Sequence, residues 1–129
     1  MSQELLQLVL SGLPPSANQM YRTGGNGNRY KRAEVSDWQE ETAELVREAW
    51  GMNEPYTGHV EVRIVFTVKG NRRWDIDNRL KALLDSLEDG GALKDDRQIW
   101  GLQALRVSGD KDTTRIEMRE YTGMYWKSA

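Results

Sequence analysis

The stretch VEVRIVFTVKGNRRWDIDNRLKALLDSLEDGGALKDD, residues 60–96, contains the two clearest periodic patterns of the chain. Across residues 60–68 apolar side chains alternate with mostly polar ones, which predicts a β-strand with one buried face. Leucines then recur at the i, i+3, i+4, i+7 spacing of an amphipathic helix, at Leu80, Leu83, Leu84 and Leu87. We therefore expect a strand followed by a helix from about Asn78 to Glu88, ended by a glycine pair.

The rest of the chain predicts further strands and one more helix. Residues 4–10 are a short apolar run typical of a strand, and residues 98–107 and 113–120 predict two final strands joined by a turn. Ser36 and Gln39 have the spacing of a capping box, so we expect the first helix to begin at Ser36. The order β-α-β-α-β-β predicts an α/β layered fold, an α+β mixed sheet with helices packed on it. The buried stripe of the first helix is expected at Trp38, Thr42, Leu45, Val46 and Ala49.

Length and composition limit the class of protein. With 129 residues the chain has the size of one domain, which we expect to span residues 1–129. The absence of cysteine excludes disulfides and thiolate metal sites, and it is compatible with a reducing compartment. No apolar run approaches the ~18–20 residues of a membrane span, and no signal-peptide pattern is present. We therefore expect a cytoplasmic protein.

Charge is unevenly distributed along the chain, although the formal net charge is only -2. Residues 20–33 contain four basic residues and no acid, and residues 63–81 contain six basic residues and two acids. Residues 34–54 instead carry seven acids, with Arg47 as their only base. A nearly neutral chain can thus present a basic face to nucleic acid, although solubility explains each basic cluster about as well.

Two pairs of acids flank the leucine helix. Asp75 and Asp77 lie between the predicted strand and the helix, where the end of a sheet is open to ligands. If this segment is extended, both carboxylates lie on one side and Ile76 points to the other. Mg²⁺ prefers carboxylates together with water and substrate phosphate, so the pair is a candidate metal site. The alternative is helix capping, which Asp favours and which explains one of the two acids.

Asp95 and Asp96 follow the helix and are candidates for the same site. The helix carries the chain roughly 16 Å away at about 1.5 Å per residue. Residues 89–96 can span at most ~26–29 Å, so a return to Asp75 and Asp77 is allowed but not required. Neighbours alternate in a strand, so only one acid of the second pair is expected to face the site. The alternative for this pair is a solvated turn.

Lys81 follows Asp77 by four residues and precedes Asp85 by four, so it shares a helix face with both. One interpretation is a surface charge ladder, worth on the order of a few tenths of a kcal/mol. The other is a cation that stabilises negative charge on a metal-bound phosphate. The spacing alone slightly favours the ladder.

DIDNRLKALLDSL (residues 75–87) and LKDDRQI (residues 93–99) together resemble the RusA family of Holliday junction resolvases, common in phages and prophages. The shared pattern is Asp-x-Asp-Asn, a Lys four residues after the second Asp, and an Asp-Asp pair followed by a polar residue and an aliphatic one. LPPSANQMYR (residues 13–22) also resembles the Pro-Pro-Ser-x-Asn segment of that family, which an aromatic residue follows. The resemblance covers most of the chain.

This resemblance implies a homodimeric, Mg²⁺-dependent endonuclease, with Mn²⁺ able to substitute, in the cytoplasm of a bacterial host cell. Its reaction is the resolution of four-way (Holliday) DNA junctions by paired symmetric nicks, in recombination and repair. The resemblance implies catalytic roles for Asp75, Asp77, Lys81 and Asp96, and metal binding by the three acids among them. Asp95 is a further candidate ligand. Residues expected to contact DNA are Asn18, Arg22, Arg29, Lys31, Arg32, Arg72, Arg73 and Arg79. The alternatives are a structure-specific DNA-binding protein, or a nuclease of other branched DNA such as flaps and forks.

Overall fold

The computed structural model describes residues 4–16, 21–23, 29–31, 33–51 and 53–123, with the backbone alone at 21–23 and 29–31. The elements in chain order are β1 (Glu4–Ser11), β2 (Tyr21–Thr23), β3 (Arg29–Lys31), α1 (Ala33–Trp50), β4 (Val60–Lys69), α2 (Asp77–Asp89), a short 3₁₀ helix (Asp96–Gln98), β5 (Ile99–Gly109) and β6 (Thr113–Glu120). The predicted order β-α-β-α-β-β is confirmed. The short β2–β3 pair between β1 and α1 was not predicted, because strands of three residues carry no measurable alternation.

Four strands form one mixed sheet in the order β1-β6-β4-β5. β6 is antiparallel to both β1 and β4, whereas β4 and β5 are parallel. Parallel neighbours need a crossover connection, and α2 provides it. β2 and β3 pair with each other as a separate antiparallel ribbon.

One face of the sheet forms the core with the two long helices, which makes a two-layered α+β structure. The alternating side chains of β4 pack there with Val46 of α1 and Leu83 and Leu87 of α2. Alternation also predicts the buried residues of β4, which are Val60, Val62, Ile64, Phe66 and Val68. Glu61 on the opposite face is buried as well, in an ion pair of 3.1 Å with Arg119. No helix within the described ranges is long and apolar enough to cross a membrane.

The start of α1 differs from the prediction. The helix begins at Ala33, so Ser36 lies inside it and the predicted capping box at its start is wrong. Its buried face is also rotated, because α1 contacts both β1 and α2. Leu45 and Ala49 are exposed, and the buried residues are Val35, Gln39, Thr42, Ala43 and Val46. The helix ends as predicted before Gly51, whose φ of +84° suits glycine.

The crossover fixes where the loops around α2 lie. β4 and β5 run in the same direction, from Val60 opposite Ile99 to Lys69 opposite Gly109. The segment before α2 therefore follows the C-terminal end of β4, whereas the segment before β5 lies at the N-terminal end of β4. The length of the sheet and of α2 separates these two segments.

Candidate functional site

Asp75 and Asp77 are both exposed at the start of α2. Asp77 is the first residue of the helix, and Ile76 occupies the N-cap position with helical φ of -63° and ψ of -49°. The segment is therefore not extended, and strand alternation is not what places the two carboxylates. Neither acid is the N-cap residue, and Ile76 at that position makes no side-chain cap hydrogen bond, so the N-cap part of the capping alternative is wrong. Asp77 still benefits from the positive end of the helix dipole.

A polar cleft of about 240 Å³ opens beside Asp75. The Asp75 carboxylate accepts a hydrogen bond of 3.4 Å from the side-chain amide of Asn78. Arg79 is half-buried in the cleft wall, where it donates to the Pro14 carbonyl at 2.8 Å. Burial, followed by repulsion from Arg72, lowers the pKa of Arg79, and Asp75 opposes this shift. The cleft lining as a whole is Ser16, Arg73, Trp74, Asp75, Asn78 and Arg79.

The loop from β4 to α2 is braced by charged side chains. Asp112 accepts from the Lys69 backbone N–H at 2.8 Å and from Arg72 at 2.5 Å. These two donors, in that order, lower the pKa of the Asp112 carboxyl. Arg106 donates to the backbone carbonyl of Arg72 at 2.7 Å, which ties the loop to β5. Trp74 packs its ring edge-on against Phe66, with ring centroids 4.7 Å apart, and so anchors the loop to the core.

Lys81 lies on the first turns of α2, largely exposed. Its ammonium nitrogen lies 3.5 Å from a carboxylate oxygen of Asp85, an i, i+4 pair with side chains 61% and 32% exposed. The Lys81–Asp85 ion pair of the predicted charge ladder is therefore present. An exposed pair of this kind contributes little to stability, roughly 0.3–0.5 kcal/mol, so the pair does not by itself explain why a lysine stands here.

Asp95 and Asp96 have different environments at the other end of α2. Asp95 is the N-cap of the 3₁₀ helix, and its carboxylate accepts from the Arg97 backbone N–H at 2.8 Å. The same carboxylate accepts from the Arg97 guanidinium at 3.2 and 3.1 Å. The guanidinium first, and then the backbone N–H, lower the pKa of Asp95 to about 2. Both oxygens of Asp95 are thus engaged by Arg97, one of them also as the cap, which makes the exposed Asp96 the better candidate ligand of the pair.

A third acid lies beside this pair. Glu88 in the last turn of α2 has a carboxylate oxygen within 4.8 Å of those of Asp95 and Asp96. Glu88 also accepts a hydrogen bond of 2.5 Å from the backbone N–H of Asp96. Burial raises the pKa of Glu88, and repulsion from Asp96, Asp95 and Asp85 adds to the rise although the Asp96 N–H opposes it. Hard carboxylate oxygens at this spacing suit Mg²⁺ chemically.

The two groups of acids do not meet within one chain, so the expectation that Asp96 returns to Asp75 and Asp77 is wrong for a single subunit. Asp96 is hydrogen-bonded to Glu88, eleven residues beyond Asp77 on the same helix. At about 1.5 Å per residue, this places the two groups roughly 16 Å apart along the helix axis. The chain is long enough to return, but the parallel pairing of β4 and β5 holds the second group at the opposite end.

The residues predicted to contact DNA fall into three sets. Arg72 and Arg73 are exposed on the loop before α2, and Arg79 is half-buried next to them. The β2–β3 ribbon carries Arg22, which pairs with Tyr30, together with Arg29 and Lys31. Asn18 and Arg32 lie outside the described residues.

Sequence reasoning missed Glu88 and Gln98. The signal for Gln98 is present, because Asp95 and Gln98 have the spacing of a capping box and the structure contains both of its hydrogen bonds. Glu88 has no comparable signal. In the sequence it cannot be distinguished from any other charged residue on the polar face of a helix. Its contact with Asp96 depends on the turn at residues 90–91.

The chain is similar to proteins of one family over most of its length. A family model described as Endodeoxyribonuclease RusA matches residues 12–119. The chain is 30% identical over 125 residues to crossover junction endodeoxyribonuclease RusA of Aquifex aeolicus, covering 92% of this chain and 94% of that protein. It is 33% identical over 97 residues to the protein of that name from Escherichia coli strain K12, covering 73% and 77%. The corresponding protein of Enterobacteria phage HK97 is 28% identical over 93 residues, covering 72% and 76%.

Proposed function

Because the chain belongs to the RusA endodeoxyribonuclease family, we propose that it resolves four-way DNA junctions by paired, Mg²⁺-dependent nicking. Residues 1–129 act as one endonuclease domain in the cytoplasm of a bacterial host cell. The observation that carries the proposal is the exposed pair Asp75 and Asp77, set at the start of a helix beside a cleft lined by arginines. Its named relatives are crossover junction endodeoxyribonucleases, which supports the junction as substrate.

The active unit is a homodimer, because the metal site is incomplete within one chain. Asp75 and Asp77 would hold Mg²⁺ together with Asp96 of the partner subunit, with Mn²⁺ able to substitute. A two-fold axis repeats this arrangement, which gives two equal sites for paired nicks on a two-fold junction. Four large side chains exposed along β5 supply apolar surface for a second copy, namely Trp100, Leu102, Leu105 and Val107.

Each side chain at the start of α2 has a distinct role in hydrolysis. Mg²⁺ held by these acids would supply an activated water and positive charge beside the scissile phosphate. Lys81, one turn after Asp77, stabilises the negative charge that develops on the phosphate. Its pairing with Asp85 holds the ammonium group on that face of α2 before DNA binds.

DNA is positioned by the basic residues around the acids. Arg73 lines the cleft next to Asp75, and its neighbour Arg72 is held by Asp112. Lysine and arginine contacts to phosphate give affinity and register but no sequence readout. The ribbon residues Arg22, Arg29 and Lys31, with Asn18 and Arg32, are proposed to extend this contact along the backbone of the junction arms.

The test is a cleavage assay on a synthetic four-way junction with and without Mg²⁺. We expect the wild-type protein to produce paired nicks only with the metal, and Asp77→Asn to bind junctions but not cut them. Full cutting by Asp77→Asn would contradict the proposed metal site. Flap and fork substrates of the same arm sequences serve as controls, and faster cutting of those would favour the alternative of a nuclease for other branched DNA.

A further inference from the structure

The backbone N–H groups around Asp95 and Asp96 are bound by side chains. Four consecutive backbone N–H groups, those of residues 94–97, each donate to a side-chain oxygen. The first two donate to Gln98, the third to Glu88 and the fourth to Asp95. Backbone donors normally find partners in secondary structure or water, so a loop capped residue by residue is unusually restrained. The restraint lies directly beside the proposed ligand Asp96.

Gln98 uses the full hydrogen-bonding capacity of its amide. Its oxygen accepts from the N–H groups of Lys94 at 2.9 Å and Asp95 at 3.0 Å. Its nitrogen donates to the carbonyls of Tyr56 at 2.6 Å and Gly58 at 2.9 Å. An amide has two donors and two acceptor lone pairs, and all four are engaged here. Gln98 therefore joins the acidic loop to the segment before β4.

Glu88 makes the third of these contacts, from α2. Its oxygen lies 2.5 Å from the backbone nitrogen of Asp96 itself. The turn after the helix is closed by Gly90 and Gly91, whose N–H groups donate to carbonyls in the last turn of α2. The loop is thus fixed relative to both the helix and the sheet.

We propose that Gln98 and Glu88 are positioning residues that hold the Asp96 carboxylate in the geometry required for metal binding. The inference rests on the proposed function, since it takes Asp96 as a ligand. Neither residue contacts substrate in this role. Glu88 acts through the backbone N–H of Asp96 itself, and Gln98 through those of Lys94 and Asp95. Loss of outer-shell partners of this kind typically reduces metal affinity about 10–100-fold.

The variants distinguish the hydrogen bonds that Gln98 and Glu88 make from the negative charge of Glu88. Gln98→Glu keeps the acceptor for Lys94 and Asp95 but sets a carboxylate against the carbonyls of Tyr56 and Gly58, and Gln98→Leu removes all four bonds. Glu88→Gln keeps an acceptor for the Asp96 N–H while it removes the charge, and Glu88→Ala removes both. Glu48→Ala, at an exposed acid of α1, is the matched control.

The first measurement is Mn²⁺ binding to the DNA-free dimer by electron paramagnetic resonance, with thermal unfolding run in parallel. We expect Gln98→Leu, Gln98→Glu and Glu88→Ala to weaken Mn²⁺ binding about tenfold or more at temperatures where the dimer stays folded. Glu88→Gln and Glu48→Ala should bind like the wild type. Amide hydrogen exchange should be faster at residues 94–97 in Gln98→Leu.

Other outcomes would contradict the positioning role, the part played by Glu88 or the proposed function. Unchanged Mn²⁺ affinity in folded Gln98→Leu and Glu88→Ala overturns the positioning role, and so does slow exchange at residues 94–97 in Gln98→Leu. An equal loss in Glu88→Gln and Glu88→Ala shows that charge matters and overturns the role of Glu88. A wild-type dimer that binds Mn²⁺ but cuts no junction refutes the proposed function alone, whereas one that binds no Mn²⁺ overturns both.

Discussion

The backbone N–H of Asp96 donates to Glu88 at 2.5 Å, which places Asp96 at the end of α2 remote from Asp77. The sequence motif assigns Asp77 and Asp96 to one site, but within one chain the length of α2 separates them. A second subunit is the simplest way to bring such carboxylates together, since a two-fold axis pairs one end of each chain with the other end of its partner.

Mixed dimers give the sharpest test of the shared site. Asp77→Asn and Asp96→Asn homodimers should each be inactive. After unfolding and refolding together, dimers with one chain of each kind should have one fully intact site and one doubly altered site. We expect recovered cutting that nicks one strand of the junction, measured on denaturing gels. No recovery in verified mixed dimers would show that each site is built from a single chain.

Replacing Lys81 distinguishes catalysis from a charge ladder. Lys81→Gln removes both the pair with Asp85 and the proposed contact to phosphate, whereas Asp85→Asn removes the pair alone. We expect Lys81→Gln to lower the single-turnover cleavage rate about a hundredfold or more, with little change in junction affinity. Asp85→Asn should cut nearly as fast as the wild type. Small and equal effects of both changes would show that Lys81 forms only the surface ion pair with Asp85.

Arg73 should contribute to DNA affinity through its charge. It is exposed and lines the cleft beside Asp75, and Arg72 next to it has the additional task of binding Asp112. Arg73→Gln should weaken junction binding and reduce the slope of log K against log salt by about one. Arg73→Lys should keep that slope. A salt dependence unchanged in Arg73→Gln would exclude a phosphate contact, as gel-shift titrations at several salt concentrations can show.

Gly90→Ala should destabilise the contact between the helices. A Cβ at Gly90 would lie 2.5 Å from a methyl group of Val46 and 2.7 Å from the carbonyl oxygen of Ala43. Neither α1 nor its buried side chain can move easily, so we expect a loss of about 1–3 kcal/mol in the free energy of unfolding. Gly91→Asn is the control, because that position has open space and a left-handed φ that Asn tolerates. Urea unfolding measures both, and equal stability of Gly90→Ala and wild type would contradict the packing.

Asp95 should titrate well below an ordinary aspartate. Its pKa of about 2 in the folded protein lies below the usual 3.8, so the contacts of its carboxylate stabilise the fold at pH values above 3.8. This stabilisation is lost as the pH falls from 3.8 through about 2. Arg97→Met removes the largest cause and should raise the pKa toward 3.8. Carboxyl chemical shifts followed by NMR against pH report both values. A wild-type Asp95 that titrates near 3.8 would show that the Arg97 contact is absent in solution.

The strands and α2 were predictable because their signals are local. The alternation in β4 and the leucine spacing in α2 place these elements to within a few residues, since burial of one face demands that periodicity. The start of α1 was not, because Ser36 and Gln39 have capping spacing yet Gln39 faces the interior against tertiary neighbours. Local pattern cannot report which of two possible faces a helix will bury.

The acids were identified from the sequence but their assembly was not. Chain length permits Asp96 to approach Asp77, and only strand order and direction decide that it does not. Parallel pairing of β4 with β5 is a property of the whole sheet, which no window of residues contains. Glu88 was missed for a different reason, because the turn at residues 90–91 that brings Asp96 to it leaves no signal at Glu88 itself.

The pairing of β1 with β6 has a consequence for how the protein is made. Leu6 lies opposite Met118, so the first strand of the sheet is completed by the last. β1 is synthesised before β6, so the edge of β1 that faces β6 has no partner strand until β6 is available, although α1 also contacts β1. Contacts between such distant residues form slowly, because closing a long loop costs entropy before the contact is made. We therefore expect β1 to join the sheet late in folding, after β6 has formed.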